Sequence, residues 1–185
     1  MNGRTIIRRS KQAFVTQQIY LLPMKRELFI STGSNEGDRA DNLNAVVPHL
    51  EKSLGTLVDS SAIYECPAWG FDGHAFLNQI LVFQADISAK SVIDLLLDIE
   101  RSMGRVRKEQ DGYSNRLIDL DLIFHGDTVI DEKGVQVPHP RMHLRNFVLI
   151  PMLDVAPMFQ HPTMHKTMLE LLEECPDESD LTAWK

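Results

Sequence analysis

The chain holds 185 residues, 43% of them hydrophobic and 24% charged, with a formal net charge of -7. This is an ordinary globular balance, long enough for one domain with a real core; its sign argues against duplex nucleic acid, which needs a positive footprint, while leaving room for a local basic patch. No apolar run approaches the ~20 residues of a membrane helix, and Cys66 and Cys175 make neither a disulfide framework nor a zinc spacing, as suits a reducing, cytoplasmic compartment.

Residues 1–23 carry Arg4, Arg8, Arg9 and Lys11 with no acid. Arg-rich, acid-free leaders can be organelle transit peptides. Met24-Lys25-Arg26, however, stands directly before the first strand-like run, and a start placed too early is the simpler reading. A single domain is expected over 24–185, with the leader disordered or not part of the protein. Residues 28–32 read as a short buried strand that ends at Gly33-Ser34-Asn35, where the glycine reads as a turn former. Residues 41–54 place apolar side chains at 43, 46, 47, 50 and 54, a helical spacing. Gly55 closes that helix, and Pro48 inside it should kink it or cost about 3 kcal/mol.

Residues 56–64 look like a second strand, 66–73 like a loop and 76–85 like a third strand. Ser88 or Ser91 can cap the next helix, which carries Val92, Leu95, Leu96, Ile99 and Met103 on one side and ends at Gly104. A strand follows from Arg116, then a turn at Gly126-Asp127 leads toward 129–130 and 135–137. The tail, 138–185, reads as turns and short helices, clearest over 167–174. Strand, helix, strand, strand, helix, strand is the order of a ferredoxin-like βαββαβ core: an α+β fold with a mainly antiparallel sheet, helices on one face, and the other face free for a ligand.

The most informative stretch is Arg116-Leu117-Ile118-Asp119-Leu120-Asp121-Leu122-Ile123-Phe124. In a strand, side chains alternate between faces. Ile118, Leu120, Leu122 and Phe124 then share a core face, and Asp119 and Asp121 share the other, with carboxylates roughly 5–7 Å apart. Two such charges repel by about 3 kcal/mol at an effective dielectric near 20. A magnesium ion, which takes carboxylate and phosphate oxygens, relieves that repulsion; the plainer alternative is an edge strand with two solvated acids. Arg105, Arg107 and Lys108 precede the strand and Arg116 opens it, so basic groups flank the acids, as handling of a polyphosphate requires. There is no GxxxxGK[ST] loop and no protein-kinase signature. Cys66, Pro67, Trp69, Phe71, Phe76 and Asn78 suggest an aromatic slot with an amide that can read a heterocycle edge, although Trp69 and Phe76 serve equally well as core. His139 lies between two prolines in a stiff turn.

With these residues in hand, the chain resembles the 6-hydroxymethyl-7,8-dihydropterin pyrophosphokinase family of folate biosynthesis. The matching stretches run from 28 to 162. They include Phe29-Ile30-Ser31-Thr32-Gly33-Ser34-Asn35, Tyr64-Glu65-Cys66-Pro67, Phe76-Leu77-Asn78, Gly104-Arg105-Val106-Arg107-Lys108, the Asp-x-Asp strand, Pro138-His139-Pro140-Arg141-Met142 and Arg145-Asn146-Phe147-Val148-Leu149. The resemblance implies transfer of pyrophosphate from ATP to the pterin hydroxymethyl group, with release of AMP. It implies that Asp119 and Asp121 hold two magnesium ions and that Arg105 and Arg116 steady the phosphates. Arg107, Lys108, Leu122, His139 and Arg145 match nucleotide-side positions. Cys66, Pro67, Trp69, Phe76, Asn78 and Tyr113 match the pterin side, where Phe147 would stack on the ring; Glu100 matches an acid of less defined role. Ser114-Asn115 replaces a Gly-Pro common in the family. Loops over 66–73 and 108–115 are expected to close over small-molecule substrates, in a protein acting as a monomer without nucleic acid or membrane. The rival enzyme reading is another magnesium-dependent nucleotidyl or phosphoryl transferase; the rival binding reading, a ferredoxin-like RNA module, lacks a basic sheet face.

Overall fold

A computed structural model describes residues 25–68, 73–105 and 115–185; the leader expected over 1–23 lies outside them. In chain order the elements are β1 (Arg26–Ser34), α1 (Arg39–Leu54), β2 (Asp59–Ser60), β3 (Tyr64–Cys66), β4 (Phe76–Ala85), α2 (Ala89–Ser102), β5 (Asp119–His125), β6 (Ile130–Glu132), β7 (Val135–Val137), a short turn of 3-10 helix at Met142–Leu144, α3 (Asn146–Val155), α4 (Met168–Glu173) and β8 (Thr182–Ala183). The main sheet runs β5-β1-β4-β3-β8 with β2 beside β4, and every pairing in it is antiparallel. The fold is mixed α/β around an antiparallel sheet.

Local rules account for most boundaries. The Asp38 side chain accepts the Asp41 N–H and starts α1, and Ser88 does the same for α2 through Ser91. Pro48 is tolerated in α1 because it lies on the exposed face, where the carbonyl it strands, that of Asn44, is also on the solvent side. The predicted second strand breaks in two. Between its halves Ser61 donates its N–H to Ile80 O while its hydroxyl accepts the Ile80 N–H, both at 2.9 Å, so a side chain stands in for the backbone acceptor.

Two cores flank the sheet. Leu43, Val46 and Leu50 of α1 and Val92, Leu96 and Ile99 of α2 pack on Leu28, Ile30, Leu81, Phe83, Leu120 and Leu122. On the opposite face, Val148, Leu149 and Met152 of α3 and Met168 and Leu171 of α4 pack on Phe29, Ile80, Val82, Ile123 and Phe124. The sequence predicts that this second face is left free for a ligand, but α3 and α4 of the tail cover part of it. The tail holds short helices, as expected; α3 is apolar on all sides from Phe147 to Leu153 and holds Pro151, so no helical period marks its bounds in the sequence.

A second difference lies within β5. Phe29 pairs with Phe124 but Ile30 pairs with Leu122, which leaves Ile123 as an extra residue, a bulge. The alternation predicted to put Phe124 beside Leu122 is thereby reset. Phe124 turns to the second face, edge-on to Phe29 at 6.0 Å and 4.7 Å from Phe159. Because Phe124 is fully buried there, Phe124→Ala should lower stability by about 3–5 kcal/mol in urea unfolding. A loss under about 1 kcal/mol would mean that this cluster does not carry the second core.

Candidate active site

The end of the second face that α3 and α4 leave uncovered forms a cavity of about 210 Å³. Three adjacent strands floor it: β1 with Ser31 and Gly33, β4 with Phe76 and Asn78, β5 with Asp119 and Asp121. The register places Gly33 between Asn78 and Asp119, and Ser31 opposite Asp121. A Cβ on Gly33 would lie 3.0 Å from Asn78 Oδ1 and 3.8 Å from Asp119 Cβ. Gly33 is thus a strand residue whose missing side chain keeps the floor open, not the turn former expected from sequence.

The two acids share the cavity face, as alternation predicts, but their partners differ. Asp119 Oδ1 accepts from Arg105 Nη1 at 2.5 Å and Oδ2 accepts from Arg116 Nη1 at 3.0 Å. Arg105 also pairs with Glu100, whose Oε1 accepts the Leu120 N–H at 2.9 Å. Glu100 is buried at the end of α2, so the arginine links a helix to the acidic strand. The repulsion argued from sequence is in this way partly met by guanidinium charge. Among the described residues Asp121 has no such clamp. Its surroundings of protein, and then the neighbouring Asp119 charge, push its carboxyl up to about 6, with Arg145 and Arg105 offsetting only part.

His139 lies 4.0 Å from Asp121, Nε2 to Oδ2. Burial, with Arg145 and Arg141 adding to it, pushes its imidazole down to about 4. It is neutral at pH 7, and since Nδ1 accepts the Arg141 N–H at 3.3 Å, Nε2 carries the proton toward the cavity. On the other side, Asn78 Nδ2 donates to Cys66 Sγ at 3.0 Å. Burial pushes the Cys66 thiol up to about 12, so the sulfur stays neutral. That bond fixes which way the amide faces: Oδ1 is turned toward Gly33 and the open floor. Phe147 enters from the first turn of α3 with the Arg145 guanidinium 5.3 Å from its ring centre, and Arg116 lies 5.9 Å from the Phe76 ring centre.

The structure gathers Arg105, Arg116, Asp119, Asp121, His139, Arg145, Cys66, Pro67, Phe76, Asn78 and Phe147 around this one cavity. It does not bring Leu122 there. As the residue next to Asp121 on a strand, Leu122 points to the opposite face and is buried in the α1/α2 core. Trp69, Arg107, Lys108 and Tyr113 lie outside the described residues. Sequence reading missed Ser31, Gly33 and Arg141 as cavity residues; each lay in a stretch that carries the resemblance, Ser31 and Gly33 in 29–35 and Arg141 in 138–142. It also missed Asn35, which is buried and ties two loop bases together. Its Oδ1 accepts the Arg116 N–H at 2.7 Å, and its Nδ2 donates to His74 O at 3.1 Å and Asn115 Oδ1 at 2.7 Å.

The donor set suits a hard divalent cation. Two carboxylates face one cavity, one of them reluctant to ionise without added positive charge. Among the described residues no group of three or more His, Cys, Asp or Glu side chains forms a self-sufficient metal cluster, so a cation here would complete its shell with ligand or water oxygens. Four arginines line or flank the same space, which favours a polyanion. No helix among the described residues is long and apolar enough to cross a membrane.

A family model described as 7,8-dihydro-6-hydroxymethylpterin-pyrophosphokinase (HPPK) matches residues 29–157. A 2-amino-4-hydroxy-6-hydroxymethyldihydropteridine pyrophosphokinase of Porphyromonas gingivalis is 36% identical over 138 residues, which span 73% of this chain and 93% of that protein. A folic acid synthesis protein of Dictyostelium discoideum is 31% identical over 155 residues, 83% of this chain and 23% of that protein. A crystal structure of HPPK-DHPS in complex with substrates superposes with a TM-score of 0.68 at 14% identity, over 82% of this chain and 43% of that one. The chain thus spans under half the length of that HPPK-DHPS chain, and at this identity the likeness speaks for the fold.

The Asp121 carboxyl has a pH signature. A folded-state value raised from 3.8 to about 6 contributes stability that is fully present below 3.8 and is lost as pH rises through 6. Asp121→Asn removes that dependence. In chelator, thermal melts should show the variant more stable than the parent at pH 7.5, with the gap closing toward pH 4; a gap that does not change with pH would contradict the assignment.

Proposed function

The chain belongs to the 7,8-dihydro-6-hydroxymethylpterin-pyrophosphokinase family, and we propose a division of its cavity into a phosphate half on β5 and a pterin half on β4 and α3. The reaction is that of the pyrophosphokinase of folate biosynthesis. The pterin hydroxyl oxygen gives up its proton to solvent and bonds to the β-phosphorus of ATP, the bond from that phosphorus to the α-phosphate oxygen breaks, and AMP leaves with the electron pair.

In the phosphate half, Arg105 and Arg116 neutralise the transferred group. Their guanidinium groups are held ready by Asp119, so they need little rearrangement when phosphate arrives. Asp119 and Asp121 are the residues that would hold magnesium, two ions by the family resemblance, and such ions, when bound, supply charge neutralisation at phosphate oxygens. His139 offers its Nε2 proton to the nucleotide, with Arg145 beside it; Arg107 and Lys108 belong to this half by sequence. In the pterin half, the Asn78 amide reads the heterocycle edge in the orientation set by Cys66, and Phe147 stacks on the ring. Gly33 keeps the space in which hydroxyl and phosphorus meet. Cys66, Pro67 and Phe76 complete the slot, to which Trp69 and Tyr113 belong by sequence. The observation that carries this reading is the convergence of the arginine-clamped Asp119, Asp121 and the oriented Asn78 on one cavity.

We read the frame as ferredoxin-like, 24–185 forming one domain. The order β5-β1-β4-β3 with α1 and α2 on one face supports this. Two free cysteines support a reducing, cytoplasmic setting, and a monomer suffices because one chain supplies every cavity residue described.

With ATP and hydroxymethyl dihydropterin, the enzyme should release AMP in proportion to pterin diphosphate; ADP or free pyrophosphate as the product would overturn the assignment. Asp119→Ala and Asp121→Ala should each lower kcat by about 100-fold or more with the fold retained by circular dichroism. Asn78→Ala should weaken pterin by about tenfold in calorimetry while ATP changes little; equal losses for the two ligands would argue against the pterin half.

A further inference from the structure

We propose that Asp177, in the C-terminal tail, is a positioning residue for the Phe147 ring, acting through the first turn of α3; this rests on the reading of Phe147 as the pterin-stacking ring. The first turn of α3 is poorly supported by its own helix. Its N-cap position is Arg145, which makes no side-chain capping bond. Pro151, four residues after Phe147, has no N–H, so the Phe147 carbonyl lacks the usual helical partner. The Val148 and Leu149 N–H groups both donate to Arg145 O, at 3.1 and 3.0 Å.

Asp177 supplies the missing support from 31 residues away. Its Oδ2 accepts the Asn146 N–H at 2.9 Å, placing a carboxylate where the helix end is positive and its donors are unpaired. Its own carbonyl accepts from Asn146 Nδ2. Its Oδ1 is held in turn by the Ser179 N–H at 3.0 Å and the Ser179 hydroxyl at 2.5 Å. The tail is then anchored beyond this point: β8 pairs with β3, and Trp184 donates its N–H to Ile63 O at 2.8 Å. At its far end α3 is pinned by Asp154, which accepts from Tyr64 and from the Ala62 N–H. Asp177 thus joins the residue directly before Phe147 to a tail fastened on the strand that ends in Cys66. Both are pterin-half elements, and neither carries the acids of the phosphate half.

The test is steady-state AMP release by the full chain, its Phe147→Ala, Asp177→Ala and Asp177→Asn variants, and the Phe147→Ala/Asp177→Ala double variant. Asp177→Ala should raise KM for hydroxymethyl dihydropterin about fivefold while KM for ATP and kcat stay within about twofold. Asp177→Asn, which keeps an oxygen for the Asn146 N–H, should recover most of that loss. Phe147→Ala should raise the same KM, and adding Asp177→Ala to it should change nothing further. An unchanged pterin KM in Phe147→Ala would show that the stacking role itself is wrong, and the proposal falls with it. If Phe147→Ala behaves as stated, three results overturn the Asp177 role alone: no change in Asp177→Ala, parallel rises in both KM values, or a full additive effect in the double variant. Should Asp177→Ala fail to fold, Asn146→Ala, which cuts the side-chain arm of the same tether, is judged by the same criteria.

Discussion

The Arg105 guanidinium lies between two carboxylates, that of Glu100 on α2 and that of Asp119 on β5, and the site is arranged around this bridge. Glu100 is fully enclosed. A carboxylate in that position is strongly unfavourable without a partner, because removing one member of a buried pair leaves an uncompensated charge. The same oxygen that receives Arg105 receives the backbone N–H of Leu120. One buried acid therefore fixes the helix end, an arginine facing the cavity, and the backbone between the two cavity acids. Rigid elements thus set the geometry of the cavity.

Around that bridge the chain divides one sheet face between two tasks. Where α3 and α4 lie on it, the face is a core of aromatic and aliphatic side chains. Where they stop, the same strands present Ser31, Gly33, Asn78, Asp119 and Asp121. No extra layer is needed to build the pocket; its floor is the polar continuation of a hydrophobic surface. Its charges are set by neighbours: among the described residues Asp119 has guanidinium partners at hydrogen-bond distance and Asp121 does not, although both are aspartates two residues apart on one strand.

Much of this was legible in the chain because alternation and capping are local rules. The placement of Asp119 and Asp121 together follows from a period of two, the start of α2 from a serine cap, and the span of β4 from its apolar run. What was not legible depends on pairing across the sheet. That Gly33 faces both Asn78 and Asp119 is a matter of register, and a lone glycine in sequence gives no hint of it. The bounds of α3 within the tail were hidden by uniform hydrophobicity and an internal proline. The fate of Phe124 depended on a bulge, and the partnership of Asn146 with Asp177 on a return of the tail that no local pattern announces.

The bulge at Ile123 also bears on how this protein can change over time. Strand β5 serves three clients in seven residues: acids for the pocket, Leu120 and Leu122 for one core, Ile123 and Phe124 for the other. With the extra residue in place, the phase of the strand is shifted once, midway, so that each client is met. Losing or gaining a single codon in this segment would swing every side chain on one side of the lesion to the wrong layer. A point substitution leaves this phase intact, whereas a change in the strand's length does not.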